Sequence, residues 1–429
     1  RAAAANPGPS RWSGVAEPGQ VSSRAWMAAK PALARSFFAA ASATGSAPPR
    51  TIQARSASQS RSGASSNMQS RKVLPPAVRP PSPRRPTSAD PPRLPMTAAA
   101  PPLKFLSPAW FSIVMGLCGL ALAWLRARPL MGEPAEGVAL VLGALAALVF
   151  VALAAGTALR LQRHPEAWRE DLRHPVRHTF VATLPVSLIL LATVAVALAG
   201  PSALANGLWW LGSLGQFGVT LWVLSRWWRG NQAGGLQWAV VTPALIVPIV
   251  GNVLVPLAGV PLGHVEWSAA QFGVGLLCWP LVLALLLARI AVQGLWPERL
   301  MPSVFIVIAP PAVIGLSALQ LGAPAVLAWC CWGIALFSFL WAMTQARRVV
   351  AQAFSIAHWG LSFPLAAFAG LTLQLATPGA GLLAVLGPIL LALTSIVIVG
   401  LGLGTVRGLR QGTLLAPEPV ATIQPVGTP

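Results

Sequence analysis

From Leu106 onward the chain is a series of long apolar runs separated by short polar connections. A helix needs roughly 20 predominantly apolar residues to cross a bilayer. Runs of that length lie at 106–125, 137–159, 179–199, 204–225, 238–259, 267–288, 303–320, 324–345, 357–376 and 380–405. The pattern predicts an all-α integral membrane protein with ten transmembrane helices over 103–410. A polar segment, 1–102, precedes them, and a short tail, 411–429, follows. Tryptophans gather near the predicted span ends (Trp124, Trp209, Trp210, Trp227, Trp228, Trp238, Trp267 and Trp296), as interfacial anchors do.

Composition agrees with the pattern. Of the 429 residues, 55% are hydrophobic and only 9% charged, with a mean hydropathy of +0.66. Soluble domains carry roughly 25% charged residues, so a soluble globular protein is excluded. The charges also orient the chain. Lys104 and thirteen arginines (160, 163, 169, 173, 177, 226, 229, 289, 299, 347, 348, 407 and 410) lie before span 1, after spans 2, 4, 6 and 8, or after span 10. Only Arg126 and Arg128 fall on the other side. This asymmetry places both termini in the cytoplasm and requires an even number of spans. It predicts a multi-pass protein of the cell's inner (plasma) membrane, with the lipid bilayer as its partner.

Residues 1–104 hold fifteen of the 30 basic residues and only two acidic ones. The segment is rich in Ala, Pro, Ser and Arg and too poor in apolar groups to offset its ordering entropy, so it is expected to be disordered. Residues 1–95 are read as translated upstream sequence, with Met96 as the working start. A native disordered tail and a functional arm binding acidic lipid or nucleic acid are the alternatives. The domain from 103 onward carries no feature of nucleic-acid binding.

Within the spans, proline marks the odd-numbered helices: Pro108, Pro185, Pro243, Pro248, Pro256, Pro310, Pro311 and Pro364. An interior proline removes a helical hydrogen bond and bends the helix, and freed carbonyls are tolerated in a membrane only against protein or water. The expectation is five helical hairpins, their bent members around a central pore. No Asp, Glu, Lys or Arg lies at a span centre, so the path is uncharged. Its selectivity would come from bore, backbone dipoles and helix ends. Polar side chains near it are Ser112, Ser187, Thr242, Asn252 and Ser362, each of which also suits a helix–helix hydrogen bond. His358 is the one titratable candidate for pH sensitivity. Cys118, Cys278, Cys330 and Cys331 show neither metal spacing nor a disulfide framework. No paired-carboxylate, G-x-S-x-G or Walker A pattern is present, so neither enzyme chemistry nor a cofactor or metal is expected.

Five segments in order carry a resemblance. They are Pro108-Ala109-Trp110-Phe111-Ser112-Ile113-Val114-Met115-Gly116, His174-Pro175-Val176 with Phe180 and Pro185, Thr242-Pro243 with Pro248-Ile249-Val250-Gly251-Asn252, Ala309-Pro310-Pro311-Ala312, and His358-Trp359-Gly360-Leu361-Ser362-Phe363-Pro364. Together they resemble the tellurite-resistance/dicarboxylate transporter family, which includes bacterial tellurite-resistance permeases, fungal malate and sulfite transporters and plant slow anion channels. The resemblance implies a homotrimer whose protomers each conduct through their own pore. It also implies that Phe363 gates that pore. Pore-lining candidates are Pro108, Ser112, Gly116, Pro185, Ser187, Thr242, Pro248, Asn252, Pro310, Pro311, Ser362 and Pro364. The implied activity is passive permeation of a small inorganic or organic anion. A gradient-coupled carrier of C4-dicarboxylates, sulfite or tellurite is the alternative, and a membrane-embedded enzyme or assembly subunit a third reading.

Overall fold

A computed structural model describes residues 102–232, 234–376 and 381–416. The expected disordered segment, Met96 and most of the tail lie outside those residues, apart from Pro102 and 411–416. The principal helices are α1 (Ser112–Arg126), α2 (Glu133–Arg163), α3 (Pro165–Arg173), α4 (Thr183–Ala199), α5 (Ala203–Ser225), α6 (Val247–Leu254), α7 (Val265–Gln293), α8 (Ala309–Gln320), α9 (Ala325–Met343), α10 (Ser362–Leu375) and α11 (Leu382–Arg410). Among the described residues eight helical stretches are long and apolar enough to cross a membrane. The fourth and fifth expected runs fall on the other two. α5 has 23 residues but carries Asn206 and Gln216. The fifth starts at Pro243, not 238, and is interrupted at Val255 before the single turn Pro256–Gly259.

Helices of two kinds alternate. Along the apolar cores of the stretches containing α1, α4, α8 and α10, 72–94% of residues are buried; along α2, α7, α9 and α11, 17–33% are. The exposed faces of the second group are apolar, as at Val141, Leu148, Leu277, Val326 and Ile396. Water would disfavour such faces, whereas a hydrocarbon phase would not. Contacts give the order. α1 packs on α4, α4 on α6, α6 on α8, α8 on α10 and α10 back on α1, so the five inner helices close a ring. Each also packs against the long helix that follows it: α1 with α2, α4 with α5, α6 with α7, α8 with α9 and α10 with α11.

Every inner helix begins in the same way. A 3-10 segment leads into each: Pro108–Phe111, Arg177–Ala182, Pro243–Ile246, Glu298–Ile308 and Ile356–Leu361. In four of the five, all but α1, proline marks where the change to α-helix falls. Pro185, Pro248, Pro310, Pro311 and Pro364 all occupy the first three positions of their α-helices. The missing N–H is tolerated there because first-turn amides have no intrahelical α-type partner. The bends expected at helix interiors are therefore changes of helix type near the helix starts, and only Pro256 interrupts an inner helix farther along.

Buried side chains satisfy the carbonyls these irregularities leave. Trp296 donates Nε1–H to the Val241 carbonyl at 2.8 Å, and Trp209 to that of Val255 at 3.0 Å. These two tryptophans, expected at the lipid interface, are buried instead. Tryptophan suits that role, because it places one donor at the edge of a large apolar ring. The Pro248 carbonyl accepts from Gln216, Thr220 and Asn252.

Candidate functional site: a vestibule at the mouths of the inner helices

The ring encloses a cavity of about 840 Å³. All five 3-10 segments line it. A 3-10 helix has 3.0 residues per turn, so residues i and i+3 eclipse and every third side chain shares one line. Residues three apart recur along the wall, through the 3-10 segments and into the first turn of the α-helices: Ala109, Ser112 and Met115; Arg177, Phe180 and Thr183; Ala244, Val247 and Val250; Leu300, Ser303, Ile306 and Ala309; Ala357, Gly360 and Phe363, with Ile356 and Trp359 beside the last row. Five stripes of mostly small or apolar residues therefore run from mouth to floor. Pro297, Glu298, Arg299, Ala351 and Ala353 are exposed at the mouth, whereas Met115, Thr183, Val250, Ala309 and Phe363 are buried at the inner ends.

Phe363 is the largest side chain among those buried inner ends and is 5% exposed. Pro364 lies beside it on the wall. Its neighbour on the adjacent helix α1 is Gly119, where an added Cβ would lie 3.0 Å from the Phe363 Cδ2. The other candidates divide. Ser112 and Thr242 line the cavity. Ser112 donates to the Ala109 carbonyl at 2.6 Å, and the buried Thr242 hydroxyl has no partner among the described residues. Gly116 and Ser362 meet where α1 and α10 touch, and Ser362 donates to the Trp359 carbonyl at 2.6 Å. Ser187 joins α4 to the start of α1, with its hydroxyl 2.7 Å from the Thr183 carbonyl and 3.3 Å from that of Phe111. Pro185 packs against Gly212 and Gly215 of α5. Asn252 accepts from Gln271 of α7 at 3.0 Å and donates to Thr220 of α5 at 2.8 Å. Pro108, Pro248, Pro310 and Pro311 lie within the ring's packing rather than on the wall. His358 is off the wall too. It is 8% exposed, its Nδ1 sits 3.2 Å from the Ser355 amide nitrogen, and its ring stacks on Phe354.

Sequence reasoning missed several wall residues. Arg177 is the most informative. His174 accepts the Val176 and Arg177 amides on its Nδ1 at 3.1 Å each, which caps the 3-10 start. Arg177 then reaches Asp171 of α3 at 2.9 Å and Glu170 at 2.9 Å. Asp171 is fully buried and also receives Arg160 of α2 at 2.7 Å, while Arg160 donates Nε–H to the Lys104 carbonyl at 3.0 Å. Two arginines and two carboxylates thus tie α2, α3 and the start of α4 into one neutral unit beside the mouth. Among the described residues no group of three His, Cys, Asp or Glu side chains could hold a metal.

A chamber lined mainly by small and apolar residues, with Phe363 among its buried ones, suits passage of a solute better than bond-making. Comparison with known proteins agrees. The voltage-dependent anion channel family (SLAC1) matches residues 106–406. A tellurite resistance protein TehA homolog of Haemophilus influenzae is 26% identical over 267 residues, covering 62% of this chain and 79% of that protein. The S-type anion channel SLAH2 of Arabidopsis thaliana is 26% identical over 261 residues, and the chain spans only 50% of its length. An uncharacterized transporter of Methanocaldococcus jannaschii is 24% identical over 293 residues and is covered over 82% of its length. With the family's profile spanning most of the chain, the protein is a membrane protein of the voltage-dependent anion channel family, to which tellurite-resistance permeases and plant slow anion channels also belong.

Proposed function

We propose that the chain crosses the plasma membrane ten times, with both termini cytoplasmic, and that its five inner helices surround a passive pathway for small anions. In this reading Phe363 closes the pathway at the floor of a cytoplasmic vestibule, and three copies assemble with one pathway each. The observation that supports it is the wall itself: five 3-10 segments, one from each inner helix, converge on one cavity that Phe363 also lines. The α5 and Pro243–Gly259 stretches supply the ninth and tenth crossings, because each packs within the same alternation of inner and outer helices. A narrow bore filled by one apolar ring blocks hydrated ions by steric exclusion and dewetting. Of the charged wall residues, Glu298 and Arg299 sit at the exposed mouth and Arg177 is paired with Asp171 and Glu170, so the reading assigns none of them to a coupled proton.

The second reading, a gradient-coupled carrier of C4-dicarboxylates, sulfite or tellurite, draws on a single feature. A cavity open on one side of a closed floor is also a stage of alternating access. Reconstitution of the full chain in proteoliposomes separates the two. The pathway reading expects anion current whose reversal potential follows the anion gradient and does not move when a pH gradient is imposed. A reversal potential that shifts with the pH gradient would favour the carrier.

A further inference from the structure

Helix α5 ends in a corner whose charges are not balanced. On its outward face Leu214 and Leu221 are 53% and 63% exposed, and Trp228, seven residues farther on, is 92% exposed. Residues seven apart share a helix face, so the apolar line of α5 runs on to that indole. No other large apolar side chain among the described residues is as exposed. Trp228 belongs to the 3-10 turn Arg226–Arg229. Residues three apart eclipse in such a turn, so Arg226 and Arg229 rise from one line of it. Partial burial lowers the pKa of Arg226 and the charge of Arg229 lowers it further, as expected of two guanidinium groups close together. Among the described residues no carboxylate pairs with either, and the sequence holds no Asp or Glu between Asp171 and Glu266. Arg226 lies 4.2 Å above the Trp222 ring and donates Nη2–H to the Leu172 carbonyl at 2.8 Å. That bond fixes the corner two residues from His174 on the vestibule wall. Arg229 is exposed, and the chain after it folds back on its stem: a Cβ added at Gly235 would fall 3.0 Å from the Arg229 Cβ.

We propose that Arg226, Trp228 and Arg229 form a binding site for the phosphate headgroup of an anionic phospholipid, in the leaflet on the side of the vestibule mouth. The chemistry of the corner sets the partner. Two uncompensated guanidinium groups side by side attract an anion, and their planar donors match phosphate oxygens. The indole beside them is disfavoured in water and at home at headgroup depth. The exposed leucines of α5 lead up to the corner from the hydrocarbon side, where the acyl chains of the same lipid would lie. A free phosphate would use the arginines and leave the indole in water, whereas a lipid uses both. A zwitterionic lipid brings its own cation against the arginines and gains less. The site stands apart from the pathway and does not depend on it.

The test titrates the full chain in mild detergent with phosphatidylglycerol or phosphatidylcholine and reads the affinity of the tightest-bound lipid by native mass analysis. The parent should prefer phosphatidylglycerol. Arg229→Gln is expected to weaken phosphatidylglycerol about fivefold, and Arg229→Lys should keep most of the parent affinity. Because that side chain is exposed, its loss leaves the fold intact. Trp228→Ala should weaken both lipids. Arg407→Gln removes an exposed charge of the same sign from the last turn of α11 and should change nothing. No preference for phosphatidylglycerol, parent affinity in Arg229→Gln, or an equal loss in Arg407→Gln would reduce the corner to diffuse charge and overturn the site. Displacement of phosphatidylglycerol by millimolar inorganic phosphate would make free phosphate the ligand and overturn the lipid. If the corner is instead a contact between copies, Trp228→Ala will lower the number of chains per particle and leave lipid affinity unchanged, which would overturn the proposal as well.

Discussion

Phe363 occupies its position because α1 presents glycine to α10. At Gly116 an added Cβ would fall 2.3 Å from the Ser362 Oγ and 2.6 Å from its Cβ, and at Gly119 it would meet Phe363 and Ala366 at 3.0 and 3.1 Å. The first site has no room to adjust without parting the helices. Gly116→Ala should therefore destabilise the fold by about 1–3 kcal/mol through overpacking, seen as a lower thermal midpoint in detergent. An unchanged midpoint would mean that α1 and α10 do not approach as described. Asp171 is the second residue on which much depends. Asp171→Asn leaves Arg160 buried without its carboxylate. Breaking one side of a buried pair costs about 3–5 kcal/mol, so a clear fall in thermal midpoint is expected; a midpoint within error of the parent would contradict the network.

At the scale of elements, the repeated motif is the change from 3-10 to α-helix, which falls at a proline in four of the five inner helices. It turns a helix with 3.6 residues per turn into a straight stripe with a period of three, and the cavity wall follows from that. Pro364→Ala restores an N–H and permits α10 to extend backward through Ile356–Leu361. The change of period would rotate Gly360 off the wall. Gly360 lines the cavity, and a Cβ added there would make only ordinary contacts, 3.7 Å from Ile306 and Ser303, so Gly360→Cys should react with a charged thiol reagent in the parent and several-fold more slowly with Pro364→Ala added. Equal rates would show that proline does not set the helix type. This motif is also what the sequence concealed. The long apolar runs were legible because a bilayer demands them, and each falls on a helical element. The stripes were not, because a residue such as Ser303 or Phe180 acquires its place on the wall only once the local period is three. Polar residues inside the spans were misleading for a related reason. Ser187 and Ser362 bond to carbonyls one turn back in their own stretches and Asn252 bonds to Gln271 of α7, and Arg177, one of many basic residues in the loops, lines the chamber.

At the scale of the molecule, buried inner helices alternate with outer helices whose exposed faces are apolar. In the proposed arrangement the asymmetry of basic residues orients the whole. Reporters fused after Arg410 and within 163–173 should both report the cytoplasm, and an external signal from either would break the ten-crossing arrangement. Native mass analysis in mild detergent should give three chains per particle; a monomer would remove the trimer but not the pathway, which lies within one protomer. That pathway and its aromatic floor are the centre of the account. The most direct test is anion current from reconstituted Phe363→Ala and Phe363→Leu at equal protein density. The account predicts a large increase for alanine and a smaller one for leucine, which refills part of the bore. Currents equal to wild type in both variants would contradict it.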